Sequence, residues 1–166
     1  MPITPPTVLT ALTIHDFLKQ IQTAHIQIND YFSGDPSDFA TACPNLEFPC
    51  LILDTPQRIL SRPREGQDLV TYNLTINLCL PISTFDQNSP KGLRPKIEAE
   101  AYAEEILQDV ISKIYQLCED SQYFQFNPAT TFSSGTFPGP LNLIGYSATV
   151  SLSQLQSFCP DQSKFA

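Results

Sequence analysis

The amino-acid sequence predicts an α+β fold with a mainly antiparallel sheet of about four strands, covered on one face by two helices. Two segments, 69–80 and 144–155, alternate apolar and polar side chains, as strands with one buried face do. Two others, 14–30 and 96–118, repeat apolar residues at helical spacing. The order helix, strand, strand, helix, then one or two strands is typical of this class.

The chain of 166 residues is most simply one domain. Residues 1–12 are rich in Pro and Thr and are expected to form an extended arm, residues 13–160 a single α+β domain, and residues 161–166 a C-terminal tail. The first residues lack the basic segment and cleavage site of a signal peptide. No run of about 18 apolar residues is present, so no membrane-spanning helix is expected.

The first half of the chain is expected to contain one helix and one short strand. Thr13 is predicted to cap a helix over 14–30, because a Thr side chain can accept a hydrogen bond from the first turn. Residues 34–36 (Gly-Asp-Pro) are expected to end that helix, and residues 35–47 are interpreted as a loop. The apolar run 48–54 predicts a buried or edge strand.

The second half is expected to carry the longer elements. Residues 57–67 contain three arginines and predict a protruding hairpin or loop, whose short connection to the next strand implies antiparallel pairing. A polar loop over 85–95 leads to the helix 96–118, whose outer side is acidic. A strand near 129–133 and a tight turn at 138–140 precede the last strand.

One face of the two long predicted strands carries hydroxyls and amides with almost no charge. A surface that only meets water usually carries charged side chains, so this face is predicted to meet another subunit or to line a lumen. The subunit-interface candidates are three residues of this face and the three arginines ahead of it: Asn73, Thr75, Asn77, Arg58, Arg62 and Arg64. The arginines have a second interpretation as a solvated loop.

No set of side chains in the sequence predicts a reaction, so no catalytic, cofactor-binding or metal-binding residue is proposed. His15 and His25 lie on one predicted helix, roughly 15 Å apart, which is too far to share a metal ion. The five cysteines form no C-x-x-C pair and are expected to be buried and reduced. The acidic side chains of the second helix are interpreted as a solvated face. A net charge of −8 argues against a basic nucleic-acid-binding patch.

Several short motifs resemble structural proteins from phages and prophages of Bacteroidetes-type bacteria. The resemblance is carried by a helix end with a Gly-Asp turn, a proline-led strand, a Thr-Tyr-Asn strand and three residue pairs: 24–35, 48–54, 70–80, Gln108-Asp109, Gly145-Tyr146 and Cys159-Pro160. At Pro81 the chain departs from that group, whose members often carry Asp there.

The order of elements also resembles that of tail-terminator and tail-completion proteins of long-tailed phages. The resemblance implies a non-enzymatic virion protein of the phage neck or tail, assembled in the cytoplasm of the host bacterium. Such proteins form a homo-oligomeric ring, usually a hexamer, that caps the tail tube and joins it to the head connector. The implied partners are further copies, the tail-tube protein and a head-connector or stopper protein. DNA would pass through an acidic lumen without specific binding, and the ring would touch no membrane.

Three alternatives stay open. The chain could be another head–tail connector or head-closure protein of the same assembly. It could instead be a small intracellular ligand-binding domain that uses the aromatic segment 124–137. An enzyme with a cysteine nucleophile is the least favoured, because no base is placed beside a cysteine by the sequence.

Overall fold

The computed structural model describes residues 2–64, 67–82, 94–121, 124–137 and 142–156. The α-helices of this part of the chain are α1 Ala11–Ala24, α2 Pro36–Ala42 and α3 Arg94–Glu119, and a short 3-10 helix, Cys43–Asn45, follows α2. The strands are β1 Asp30–Ser33, β2 Cys50–Leu53, β3 Gln57–Arg64, β4 Gln67–Pro81, β5 Gln125–Phe137 and β6 Leu143–Gln156.

The six strands form one mixed sheet in the order β1-β2-β4-β6-β5. β2 and β3 share one edge of β4: β3 pairs with its first half and β2 with its second half. Only β1 and β2 are parallel among the described pairs. The α+β class is as predicted, but the four-stranded sheet covered on one face by two helices is wrong. The described residues form six strands and three α-helices, and both faces of the sheet carry helix.

The larger core lies between the sheet and the helices α1 and α3. Alternate residues of β4, from Val70 to Leu80, point toward it, and Leu51 and Leu53 extend it under β2. A second, smaller core lies on the opposite face at one end of the sheet. There α2 and the 3-10 helix pack on β2, β4 and β6 through a cluster of six buried residues: Phe39, Cys43, Cys50, Ile52, Cys79 and Leu143. We call this unit the α2 cap.

The first helix begins and ends earlier than predicted. The capping residue is Thr10, whose side chain accepts a hydrogen bond from the backbone N–H of Thr13 at 3.1 Å, while the Thr13 hydroxyl accepts one from the N–H of Thr10 at 2.9 Å. This reciprocal capping box sets the start at Ala11. His25 ends the helix in an extended conformation. Ile28 continues the apolar spacing and is buried, but it does so from a loop.

Residues 34–36 do not end a helix but connect two elements that were not predicted. β1 precedes Gly34, which has a φ of 156°, a value that L side chains rarely adopt. Asp35 then occupies the position before α2, with Pro36 at its first turn. The segment predicted as a loop, 35–47, therefore contains α2 and the 3-10 helix.

The remaining predicted elements are confirmed with shifted ends. The strands predicted at 48–54, 69–80, 129–133 and 144–155 correspond to β2, β4, β5 and β6, and the helix predicted at 96–118 corresponds to α3. The arginine segment forms a hairpin strand, β3, antiparallel to β4. The predicted turn at 138–140 and most of the predicted loop 85–95 lie outside the described residues.

Candidate functional site

The face of β4 and β6 opposite α1 and α3 carries hydroxyl and amide side chains. We define the open face by eight residues of these two strands: Thr71, Asn73, Thr75, Asn77, Ser147, Thr149, Ser151 and Ser153. The open face extends onto β5, where Asn127, Thr131 and Ser133 stand opposite residues of β6 on the same side. The α2 cap covers only the end of this face beyond Asn77. Asn77 is buried beside the cap, and the other seven residues are half-buried or exposed.

Cross-strand hydrogen bonds tie the open face together. The Ser151 hydroxyl donates to the side-chain oxygen of Asn73 at 2.7 Å, and Thr71 and Ser153 are joined through their hydroxyls at 2.9 Å. The hydroxyl of Ser147 donates to the side-chain oxygen of Asn77. Each of these pairs holds two side chains in one geometry, so the face is a fixed polar surface rather than a set of free rotors.

A carboxylate stands at the border between the open face and the α2 cap. The Asn77 amide donates to Oδ1 of Asp54 at 3.2 Å. Partial burial raises the pKa of the Asp54 carboxyl above its ordinary value, while the hydrogen bond from Asn77 opposes that rise and the charge of Asp35 adds to it. The hydrogen bond from Asn77 therefore favours the charged form of Asp54.

Replacing Asn77 by alanine is expected to raise the pKa of Asp54 further, because the bond that favours its carboxylate is lost. A carboxyl whose pKa is raised by folding lowers stability as the pH rises from its ordinary value of 3.8 through the folded pKa, and the loss is absent at lower pH. The free energy of unfolding of N77A should fall more steeply than that of the wild type over this range. Carboxyl titration by NMR measures the shift. The matched control is N73A, and an Asp54 pKa that is unchanged in N77A would contradict the expectation.

The part of the open face on β5 and β6 belongs to a longer stretch of chain without charge. Residues 121–160 contain no Asp, Glu, Lys, Arg or His, although 26 charged side chains are present elsewhere in the sequence. This stretch includes the whole of β5 and β6. The absence of charged residues over 121–160 is therefore the sequence signal from which β5 could have been added to the predicted uncharged face.

Five of the six predicted interface residues fall on two different faces, and the side chain of the sixth, Arg64, is outside the description. Asn73, Thr75 and Asn77 lie on the open face. Arg58 stands opposite Tyr72 and so lies on the helix side of the sheet, and Arg62 bonds Asp68 on that side through its Nε at 2.7 Å. The backbone of Arg64 pairs with Gln67, while its side chain is outside the description. The role of the six residues in subunit contacts stays a prediction, but the arginines Arg58 and Arg62 do not share a surface with the three residues of the open face.

Among the described residues, the histidines, cysteines and carboxylates form no common cluster. His15 contacts Tyr31 through Nδ1 at 3.3 Å, and Nε2 of His25 lies 3.9 Å from Asp109. The four cysteines within the described residues are buried, as predicted, and none of them forms a disulfide in this part of the chain; Cys159 is outside it. No group of three or more potential metal ligands is present among the described residues. None of the described helices combines the length and apolar character needed to cross a membrane.

Two further surface features complete the candidate sites. The arm lies on its own domain: Leu9 is buried, its backbone N–H donates to the side chain of Gln154 at 2.8 Å, and that side chain donates to the Thr7 carbonyl. A surface groove of about 360 Å³ lies between α3 and β5. Its apolar lining includes Ile111, Tyr115, Phe126 and Phe132. We call it the α3–β5 groove.

No protein-family model and no curated protein sequence matches the chain.

Proposed function

We propose that this chain is a structural subunit that assembles into a closed homo-oligomer, as a component of a phage neck or tail, with the open face turned toward a neighbouring protein or a channel. The observation that carries the proposal is the open face itself. It spans three strands, side-chain hydrogen bonds join its β4 and β6 residues, and its defining residues bear no charge. A fixed uncharged surface suits repeated contact between copies of an acidic protein.

The phage assignment is supported by the sequence motifs and by the order of elements. The helix α1, the strands up to β4, the acidic helix α3 and the final hairpin of β5 and β6 follow the order described above for tail-terminator and tail-completion proteins. Within that proposal, an uncharged open face would exert no electrostatic attraction on DNA phosphates, so a channel lined by it would be neutral rather than acidic.

The proposal predicts a closed oligomer, because identical copies that join head to tail close into a ring when the rotation between them allows it. The resemblance to tail-terminator proteins implies roughly six subunits. Native mass spectrometry and light scattering of the purified chain, over a range of concentrations, measure the subunit number. The same measurements with tail tubes added test whether the ring seats on them. A chain that stays monomeric alone and with tubes would contradict the proposal.

A charge on the open face is expected to disturb assembly and leave the subunit folded. Thr75 is half-buried on that face, opposite Thr149 of β6. Glutamate at this position would place an unpaired negative charge in the contact with a neighbouring copy, whose net charge is itself −8, and we expect association to weaken at least about tenfold. The matched control is Thr23→Glu, which places the same charge on the exposed surface of α1. Equal oligomerisation of T75E and T23E would show that the open face takes no part.

A small-molecule binding domain is a second candidate because of the α3–β5 groove. The groove is shallow and open, about 360 Å³, and its lining includes the aromatic side chains Tyr115, Phe126 and Phe132. Apolar and aromatic linings are typical of small-molecule sites. Screening the chain by NMR with a library of aromatic and aliphatic fragments tests this function. Micromolar binding with shifts confined to Tyr115, Phe126 and Phe132 would favour it over assembly.

A further inference from the structure

We infer that copies of this chain exchange their arms: the arm tip, residues 2–4, leaves α1 of its own copy and seats on α1 of the next. The inference rests on the proposed homo-oligomer and specifies one of its subunit contacts. The occupant of the site is known, because the tip of the same chain lies on it. Assembly changes only which copy supplies the tip.

The arm runs back along the outer side of α1. A bend at residues 7–8 turns the chain shortly before the helix begins. The backbone N–H of Thr4 donates to Oε1 of Gln20 at 2.9 Å. Ile3 lies farther along and reaches Ala24, the last residue of the helix. About six extended residues span roughly 20 Å, as do the 14 residues of α1. The tip therefore lies at the end of α1 that is farther from the bend.

The two ends of the arm are attached with different strength. At the root, residues 7–9, Leu9 is 1% exposed in the larger core. The side chain of Gln154 accepts a hydrogen bond from the N–H of Leu9 and donates one to the carbonyl of Thr7. At the tip, Ile3 is half-buried and Thr4 is exposed. A segment with little buried apolar surface opens locally at a low cost in free energy, so the tip can leave α1 while the root stays in place.

The tip fills only part of its seat. We define the tip seat by the three α1 residues against which Ile3 and Thr4 lie: Gln20, Ile21 and Ala24. Two open spaces adjoin it, one of about 520 Å³ lined by Ile3, α1 and α3, and one of about 640 Å³ lined by the tip and α1. A side chain beside open space lacks the dispersion contacts of a packed core residue, so the tip is loosely held.

Two prolines join the tip to the root. The ring of a proline fixes φ at about −65°, and a proline also keeps the residue before it extended. Pro5 and Pro6 therefore make the arm a stiff rod, whose freedom of rotation is concentrated where the rod meets Thr7. A stiff segment has little conformational entropy left to lose when it binds, and this favours its binding to a neighbour as much as to its own chain.

A neighbouring copy offers the tip the same seat. Exchange therefore keeps the contacts of the tip and adds a link between copies, which is why domain swapping is a low-cost route to oligomers. Residues 2–14 carry no charged or histidine side chain, so the arm meets no charge repulsion from a copy whose net charge is −8. The arm lies on the helix side of the sheet, so exchange leaves the open face available for a channel or for a further protein.

Crosslinking between two different chains tests the exchange. One chain carries Thr4→Cys and the other Ala24→Cys, each in a Cys159→Ser background, and the two are co-expressed with different affinity tags. A short bismaleimide is expected to join one chain of each kind, because the tip of the first seats on α1 of the second. The substitutions keep the backbone N–H of residue 4 and its acceptor Gln20. The position control is Thr4→Cys with Leu12→Cys, an exposed site about 18 Å along α1 from Ala24, which should give no joined pair.

The same two substitutions in one chain separate the two arrangements. A chain with both Thr4→Cys and Ala24→Cys gives a crosslinked monomer if its tip stays on its own α1, and a ladder of covalent oligomers if the tips are exchanged. Crosslinked monomers alone, or a pair formed equally well through Leu12→Cys, would overturn the inference.

A charge on the tip gives a measurement that needs no crosslinker. Ile3→Glu is expected to weaken association at least about tenfold, because a charge replaces the apolar contact with the seat, while the half-buried site leaves the fold intact. Leu12→Glu makes the same change at a site that is 68% exposed on α1 and should associate as the wild type does. Thr23→Glu should do so too, because it faces the open space beside the tip and Lys19 lies one turn before it.

The outcomes separate the exchange from the proposed function. Equal association of I3E and the wild type, or crosslinked monomers alone, would overturn arm exchange and leave the proposed homo-oligomer standing. A wild-type chain that never oligomerises would overturn both.

Discussion

Replacing Gly145 by alanine is expected to cost about 3 kcal/mol of stability, at the upper end of the usual range for overpacking. Gly145 lies in β6 opposite Cys79 of β4. An added Cβ would stand 1.9 Å from the carbonyl oxygen of Leu78 and 2.9 Å from the Cα of Cys79. Both are backbone atoms of a buried strand, so no side-chain rotation can relieve the overlap, and β4 and β6 must move apart.

The structure provides a matched control in the neighbouring strand. Gly135 pairs with Gly145 from β5, and a Cβ added there would meet nothing within 4 Å. Gly135→Ala should therefore stay within about 1 kcal/mol of the wild type, because only the conformational preference of the residue changes. Urea unfolding followed by circular dichroism measures both variants. Equal midpoints would show that β4 and β6 do not approach as closely as described.

Replacing Phe39 by alanine is expected to cost about 3–5 kcal/mol and to open the α2 cap. Phe39 is 2% exposed and packs edge to face on Phe32 at 5.5 Å. It belongs to the same cluster as three cysteines, Cys43, Cys50 and Cys79. Burial raises the pKa of all three thiols, that of Cys50 to about 12, so in the folded wild type they should react slowly with a disulfide reagent.

Thiol reactivity distinguishes local opening of the cap from global unfolding. In a Cys159→Ser background, the three cap thiols of F39A should react with the reagent faster than the thiol of Cys118 does. Cys118 lies on α3 and is buried in the larger core, which the substitution does not open. Phe39→Leu should lose less stability and keep the thiols protected. Reaction of all four thiols at one common rate would mean that the cap is not an independent unit.

The sequence predicted the parts of this fold in which local pattern and final environment agree. β4 alternates over 70–78 and β6 over 144–153 because the helix side of each strand is buried there, and α3 repeats its apolar residues because one side packs on the sheet. The uncharged face was visible for the same reason: its polar residues alternate with the buried ones. These patterns depend on near neighbours in the chain and can be read without coordinates.

Hydrophobic periodicity predicted the wrong elements where contacts between residues far apart in the sequence determine the structure. β1 is four residues long and forms because it pairs with β2, twenty residues later, so nothing local distinguishes it from the end of a helix. Ile28 fits the helical spacing of α1 but is buried from the loop that leads into β1. The loop prediction for 35–47 missed α2, whose apolar residue Phe39 is explained only by the strands it covers.

Which residues share a surface was also decided by tertiary structure alone. The sequence determined that this chain carries two long half-polar strands, an arginine-rich segment before the first, and an acidic helix. It could not determine that Arg58 and Asn73 lie on opposite faces, because β3 was as compatible with a loop as with a strand. Nor could it place β3 and β5 on opposite sides of the pair formed by β4 and β6. Strand order is fixed by pairings between segments far apart in the chain, and hydrophobic periodicity carries no record of them.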